Sequence, residues 1–208
     1  MIERHVALTF DGGPDPVSTP YFLDALAAAQ VRATFFVVGE RLSRQRWLGR
    51  LLASAGHELA VHGWRHAPLV PCRAARRALA RTTDLITEVT GVAPRWFRLP
   101  AGLPLPGVLR MVRETGLEPV ACTARDGWAV GPRSGGRPTA IARRVAAGLR
   151  GGATILLHDR AGPEASWRAA LAAVPLVVRL CRRNGLRIGP LGEHGSDPAL
   201  PQTRGTGG

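Results

Sequence analysis

Lysine is absent from this 208-residue sequence. All 28 basic residues are arginine, and against 15 Asp and Glu they give a net charge of +13. A uniform replacement of one cation by another reflects base composition, not a patch built for one partner. The arginines fall at helical spacing among alanines, as in Ala74-Ala75-Arg76-Arg77-Ala78, which suits solvated helix faces. The field still draws anions such as acidic glycans, nucleotide-linked sugars, lipid phosphates or nucleic acid. Specific nucleic-acid binding is not expected, because one Tyr with five Trp and five Phe offers no stacking platform. Cysteine is scarce: Cys72, Cys122 and Cys181 are odd in number, widely spaced and form no C-x-x-C. That excludes a disulfide framework and a thiolate zinc site, and free buried thiols suit a reducing compartment. No apolar run is long enough to span a membrane. No charged, apolar and small-residue leader is visible, so a cytoplasmic location is expected. The glycine-rich dinucleotide and P-loop patterns are missing, which disfavours nucleotide cofactors. Ser54 and Ser166 lack a G-x-S-x-G context, which disfavours a serine hydrolase.

What is present alternates. Apolar runs predict strands over 5–10, 33–38, 58–61, 96–98, 119–122, 154–157 and 186–188. Helical patterns lie between them over 19–29, 43–55, 73–90, 106–115, 139–149 and 164–184. Seven strands alternating with six helices predict an α/β fold with a parallel sheet or barrel, in one domain over 1–192. Glycines 56, 91, 116 and 185 stand where helices would stop. Residues 129–138 read as a surface loop and 193–208 as a disordered tail. The oligomeric state leaves no mark on the sequence.

Four apolar runs end in a reactive side chain: Asp11 after 6–10, His62 after 59–61, Arg98 after 96–97 and His158 after 154–157. C-terminal ends of parallel strands converge on one face, so these points can form one site. Each has a plainer reading. His62 and His66, spaced i, i+4 on one helical turn, can share a metal or be ordinary surface or core histidines. Asp11, before Gly12-Gly13-Pro14, can meet a ligand or cap a turn. Arg98 can orient a carboxylate through a bidentate bond or lie at the surface. His158 can serve as general acid or be buried against a backbone carbonyl. Asp126 could hold that imidazole, and Trp128 could offer an apolar wall. Together the set suggests metal-assisted hydrolysis with an acid and a base.

In this order the motifs resemble those of the polysaccharide deacetylase family, the NodB homology domain or carbohydrate esterase family 4. Thr9-Phe10-Asp11-Gly12-Gly13-Pro14 resembles the first motif, His62-Gly63-Trp64-Arg65-His66 the second and Arg98-Leu99-Pro100-Ala101 the third. Asp126-Gly127-Trp128 resembles the fourth loosely, and Leu156-Leu157-His158-Asp159 the fifth. The likeness runs from about Val6 to Ile188. It implies a distorted (β/α) barrel of about seven parallel strands that removes an acetyl group from a sugar with a divalent metal, usually zinc. On this resemblance Asp11 is the base that activates water, Arg98 orients Asp11, and His62 and His66 hold the metal. His158, tuned by Asp126, protonates the leaving amine. Pro100, Ala101, Trp128 and Leu156 fall at substrate-facing positions, with the Ala101 N–H aimed at the oxyanion.

The first motif departs from the family: Gly12 stands where a metal-ligating Asp is usual. Three arrangements remain open. Asp11 ligates the metal and another group is the base; Asp15 or a second water fills the position; or the protein holds little metal and is weakly active or inactive. Ala101 replaces a Tyr, and Cys122 stands where an aromatic is frequent. The substrate expected is an N-acetylated amino sugar or related small amide. The alternatives are a non-catalytic member that binds an acylated sugar or a partner, and a different chemistry on the same scaffold.

Overall fold

A computed structural model describes residues 4–100, 105–126, 137–160 and 164–194. In chain order the elements are β1 (His5–Asp11), α1 (Thr19–Ala29), β2 (Thr34–Val37), α2 (Gly39–Arg44), α3 (Arg46–Ser54), β3 (Glu58–Val61), α4 (Arg73–Thr90) and β4 (Trp96–Phe97). Then follow α5 (Val108–Glu114), β5 (Glu118–Pro119), β6 (Ala124–Arg125), α6 (Pro138–Gly148), β7 (Thr154–His158), α7 (Glu164–Arg183), β8 (Arg187–Gly189) and a 3₁₀ turn at Leu191–Glu193. Seven strands run in the order β5-β4-β3-β2-β1-β7-β6, every pairing parallel, and β8 joins β1 from outside that path. This is the expected distorted (β/α) barrel, a sheet curled around its own interior.

β1 is buried along its whole length because it has packing on both faces. Side chains alternate across a strand, so Val6, Leu8 and Phe10 turn outward to the helices. Phe10 lies edge-on to Phe22 at 5.2 Å and stacked on Phe35 at 4.9 Å. Ala7, on the other face, joins Phe36, Ala60, Trp96, Val120 and Leu191 in a second apolar cluster that fills the barrel. Continuing that inner alternation two to four residues along each strand leads to Asp11, His62, Arg98 and, on β7, His158.

β1 has different neighbours at its two ends. Its edge toward β2 carries the Gly12 N–H to Phe36 O bond, and the same edge lower down takes Arg187 N–H on Arg4 O. β2 therefore pairs with Thr9–Asp11 and β8 with His5–Ala7 on one side, while β7 lines the other.

Three elements differ from the sequence expectation. The helix over 43–55 is two helices, α2 and α3. Gln45 at φ −128 closes the first, donating to Arg41 and Leu42, while its carbonyl accepts from Leu48 and Gly49 to open the second. The strand over 119–122 is confined to Glu118–Pro119, where the Glu118 and Val120 amides donate to the Arg95 and Phe97 carbonyls at β4. The chain then crosses to β7 and forms β6, too short to leave a hydrophobic pattern. Beyond residue 194, where the tail is expected, the chain lies outside the described residues. Glu193 is tied back to Arg32 at 2.6 Å, and His194 Nδ1 lies 2.7 Å from His5 Nδ1. Cys72, Cys122 and Cys181 are free thiols.

Candidate active site

β1 and β7 run in register, with Asp11 opposite His158. Asp11 is buried, and one guanidinium nitrogen fixes it: Arg98 Nη1 donates to Asp11 Oδ1 at 2.7 Å and to Thr9 Oγ1 at 2.6 Å. The bidentate fork expected for Arg98 does not form. Its plane lies over Phe36, with Cζ 4.1 Å from the ring centroid, and Nε and Nη2 find no partner among the described residues. The Thr9 hydroxyl passes its own proton to Ile155 O at 2.7 Å, tying β1 to β7 at the level of the carboxylate.

His62 is buried at the end of β3, and its Nδ1 lies 3.0 Å from Arg98 O. A carbonyl only accepts, so Nδ1 carries the hydrogen and Nε2 keeps its lone pair. That lone pair faces Asp11 Oδ2 at 3.9 Å. Burial, only partly opposed by the Asp11 charge, lowers His62 to about 4, so the ring is neutral. Its partner His66 is exposed, with its ring centroid 5.2 Å away. Burial and then the Arg160 charge lower His66 as well. The pair does not sit on a helical turn, as its spacing suggests. The carbonyls of Gly63 and Trp64 accept from the Gly39 and Glu40 amides at the start of α2, so this segment is a loop pinned to that helix.

On the opposite side His158 Nδ1 and Asp126 Oδ2 are 2.9 Å apart. Burial works against a charged His158, but the Asp126 hydrogen bond and the charges of Asp126, Asp11 and Asp159 outweigh it, and the net shift is upward. Asp126 is buried, its carbonyl taken by Arg144 Nε at 2.8 Å. Leu156 is half-buried two residues before His158 and shares its face of β7. Pro100 is buried against the His loop, where a side chain on Gly63 would meet its Cγ at 3.4 Å. Ala101 and Trp128 lie outside the described residues.

Asp159, the last residue of the fifth motif, has partners that its sequence position does not announce. It is buried, accepting from Gly13 N–H at 3.0 Å and from Thr19 Oγ1 at 2.8 Å, and its carbonyl accepts from Ser18 Oγ at 2.5 Å. Burial pushes its carboxyl up to about 6. Gly13 is required here, because any Cβ would stand 2.2 Å from Asp159 Oδ2. Asp15, one candidate to replace a ligand at Gly12, is engaged elsewhere. Its Oδ1 accepts from the Val17 and Ser18 amides, and its Oδ2 faces Arg41 at 4.0 Å.

Two electron-pair donors, His62 Nε2 and Asp11 Oδ2, thus face each other across 3.9 Å, with a second imidazole alongside. Imidazole and carboxylate are the donors that divalent zinc or cobalt takes, so these residues fit a cation. With Asp11 kept as the base, the two histidines are one side chain short of a full ligand triad. Among the described residues no group of three His, Cys, Asp or Glu is placed to hold a metal.

Residues 1–120 match the sequence profile of the polysaccharide deacetylases. The chain belongs to the polysaccharide deacetylase family. It is 34% identical over 201 residues to a chitooligosaccharide deacetylase of Bradyrhizobium sp. (strain ANU 289), covering 90% of this chain and 89% of that one. Among solved structures it superposes with a TM-score of 0.80 on a family 4 acetyl xylan esterase from Clostridium thermocellum that holds a cobalt ion. That match is at 30% identity and covers 90% of this chain and 88% of the other. It superposes with a TM-score of 0.77 on a family 4 pseudoenzyme from Bacillus anthracis, at 20% identity over 92% of this chain and 65% of the other. That last likeness concerns the fold alone. Among the described residues no helix is long and apolar enough to cross a membrane.

Proposed function

We propose that the chain is a metal-assisted hydrolase that removes an acetyl group from an N-acetylated amino sugar or a related small amide. One observation carries the reading: Asp11, fixed by Arg98, stands in register across from His158, which is paired with Asp126. A carboxylate that would take a proton and an imidazole that would give one thus stand beside each other at the ends of adjacent strands. Asp11 accepts the proton of the attacking water through the oxygen that Arg98 leaves free. His158, kept protonated by Asp126, delivers its proton to the leaving nitrogen. His62 and His66 would hold a divalent cation, most simply zinc, which supplies polarisation of the acyl carbonyl and a lowered pKa for water. Leu156 and Pro100 would shape the wall met by the acetyl group, with Ala101 and Trp128 as the further substrate-facing positions expected from sequence.

The second reading, a metal-poor and weakly active member, has Gly12 in its favour. Acetate release from N-acetylglucosamine oligomers, measured beside the metal content of the purified protein, separates the two. Turnover that rises with added zinc or cobalt and vanishes in Asp11→Asn supports the hydrolase. No acetate from acetylated oligomers or small amides at any metal loading would refute it.

A further inference from the structure

The space that Gly12 leaves is not empty. A Cβ on Gly12 would stand 3.5 Å from Arg160 Cβ and 3.6 Å from Arg160 Cδ, so the stem of Arg160 lies along this glycine. Arg160 follows directly on the His158–Asp159 pair. Its Nε is buried and has no hydrogen-bond partner, and it forms no ion pair among the described residues.

Nearby carboxylates already have partners. Asp159 serves Gly13 and Thr19. Asp15 Oδ1 caps the start of α1. Asp11 Oδ1 serves Arg98. A second guanidinium, Arg41 on α2, lies close enough that burial and then the Arg160 charge lower it. Among the described residues its ion-pair contact, to Asp15, is long at 4.0 Å. A buried guanidinium nitrogen without an acceptor is costly, and the like charge of Arg41 adds to the cost. An oxyanion between them removes both penalties.

We propose that Arg160, with Arg41, forms an oxyanion-binding subsite beside the first motif, next to Asp11 and His158, where it takes a carboxylate or phosphate carried by the sugar. The inference deepens the deacetylase reading by giving its substrate an acidic group, yet the binding itself needs no turnover. The edge of a guanidinium formed by Nε and Nη suits such an oxyanion, which it can grip with two parallel hydrogen bonds.

The test is calorimetric titration of the full chain, at fixed ionic strength, with glucuronate, glucose 6-phosphate and glucose. At least one anionic sugar should bind saturably and at least about tenfold more tightly than glucose, the usual worth of a charge-assisted bond. Which anion binds separates the carboxylate from the phosphate. Arg160→Met should weaken that binding about tenfold or more and Arg41→Met by less. Arg143→Met, on the exposed face of α6, should leave it unchanged. Arg160→Lys keeps the charge without the fork and should fall between wild type and Arg160→Met, a result that stands even if Arg160→Met folds poorly. Equal binding of all three sugars, or equal losses in Arg160→Met and Arg143→Met, would overturn the proposal. Acetate release from a neutral N-acetylated sugar by the wild-type chain reports on the deacetylase reading separately.

Discussion

A single nitrogen of Arg98, Nη1, serves both Thr9 Oγ1 and Asp11 Oδ1, so the hydroxyl and the carboxylate are set by the same donor. Thr9 in turn is fixed by Ile155 O on β7, the strand that carries His158. The carboxylate of one strand and the imidazole of the next are thus coupled through a threonine.

Thr9→Val keeps the shape and removes that coupling. It strips Ile155 O of its donor and Arg98 of one acceptor. The expected loss is about 1–3 kcal/mol of stability, the usual effect of leaving buried polar groups unpaired. Denaturant unfolding measures it, and kcat should fall while KM changes little. Arg98→Met should be more severe, about 3–5 kcal/mol, because it leaves Asp11 as an unpaired buried charge.

Removal of the acid or the base should each cost about two to four orders of magnitude in rate. Asp11→Asn and His158→Ala should both melt cooperatively, since neither belongs to the apolar core. His158 is shifted above its ordinary 6.5, so the fall in rate on the alkaline side should begin above that value. Asp126→Asn removes the interaction that opposes burial and should move that limb to lower pH. An alkaline limb unmoved by Asp126→Asn, read from kcat against pH, would detach Asp126 from the acid.

Gly12→Asp should raise affinity for zinc or cobalt several-fold by adding a third side-chain ligand. It should also cost about 1–2 kcal/mol, because Gly12 has φ +95 and non-glycine residues are strained there. The gain should be larger with Arg160→Met in the same chain, where no guanidinium competes for the new carboxylate. Equal affinity in wild type and Gly12→Asp, by calorimetry, would show that other groups already complete the site.

Acid stability should depend on His57, far from the site. His57 is buried, and its Nδ1 accepts from Ala33 N–H at 3.1 Å. Burial and then the Arg32 charge lower it to about 4. The unfolded chain takes a proton near 6.5 and the folded chain only near 4, so stability is lost as pH falls through that window. Asp159, raised to about 6, acts in the opposite sense below that value, since there the folded chain takes the proton more readily. His57→Asn keeps the acceptor and removes the titration. Its melting temperature should drop less than that of the wild type between about pH 7 and about pH 5.

Asp11, His62, Arg98 and His158 were legible because each closes an apolar run, and a strand end is where a barrel displays its side chains. The His62–His66 spacing was legible as a pair but misleading as a helix. Nothing in the local sequence shows that α2 claims the carbonyls of Gly63 and Trp64. Thr9 and Phe36 read as ordinary strand residues until strand order sets Arg98 between them. Asp159 reaches its partners across 146 and 140 residues, beyond any window of periodicity. Arg160 was lost among 28 arginines; only the bare backbone of Gly12 beneath its stem distinguishes it.

The shared edge of β1 bears on how the chain comes to be folded. The strand that ends in Asp11 precedes both β7 and β8 by most of the domain, so its lower half waits for β8 and its far side for β7. Until both arrive it is a strand with an apolar middle and open hydrogen-bonding edges, the kind of segment that sticks to other chains. Pairings so distant in sequence form slowly. Synthesis of this protein therefore passes through a long interval in which its most buried strand is exposed, and the Asp11 carboxylate is framed on both sides only once β7 and β8 have arrived.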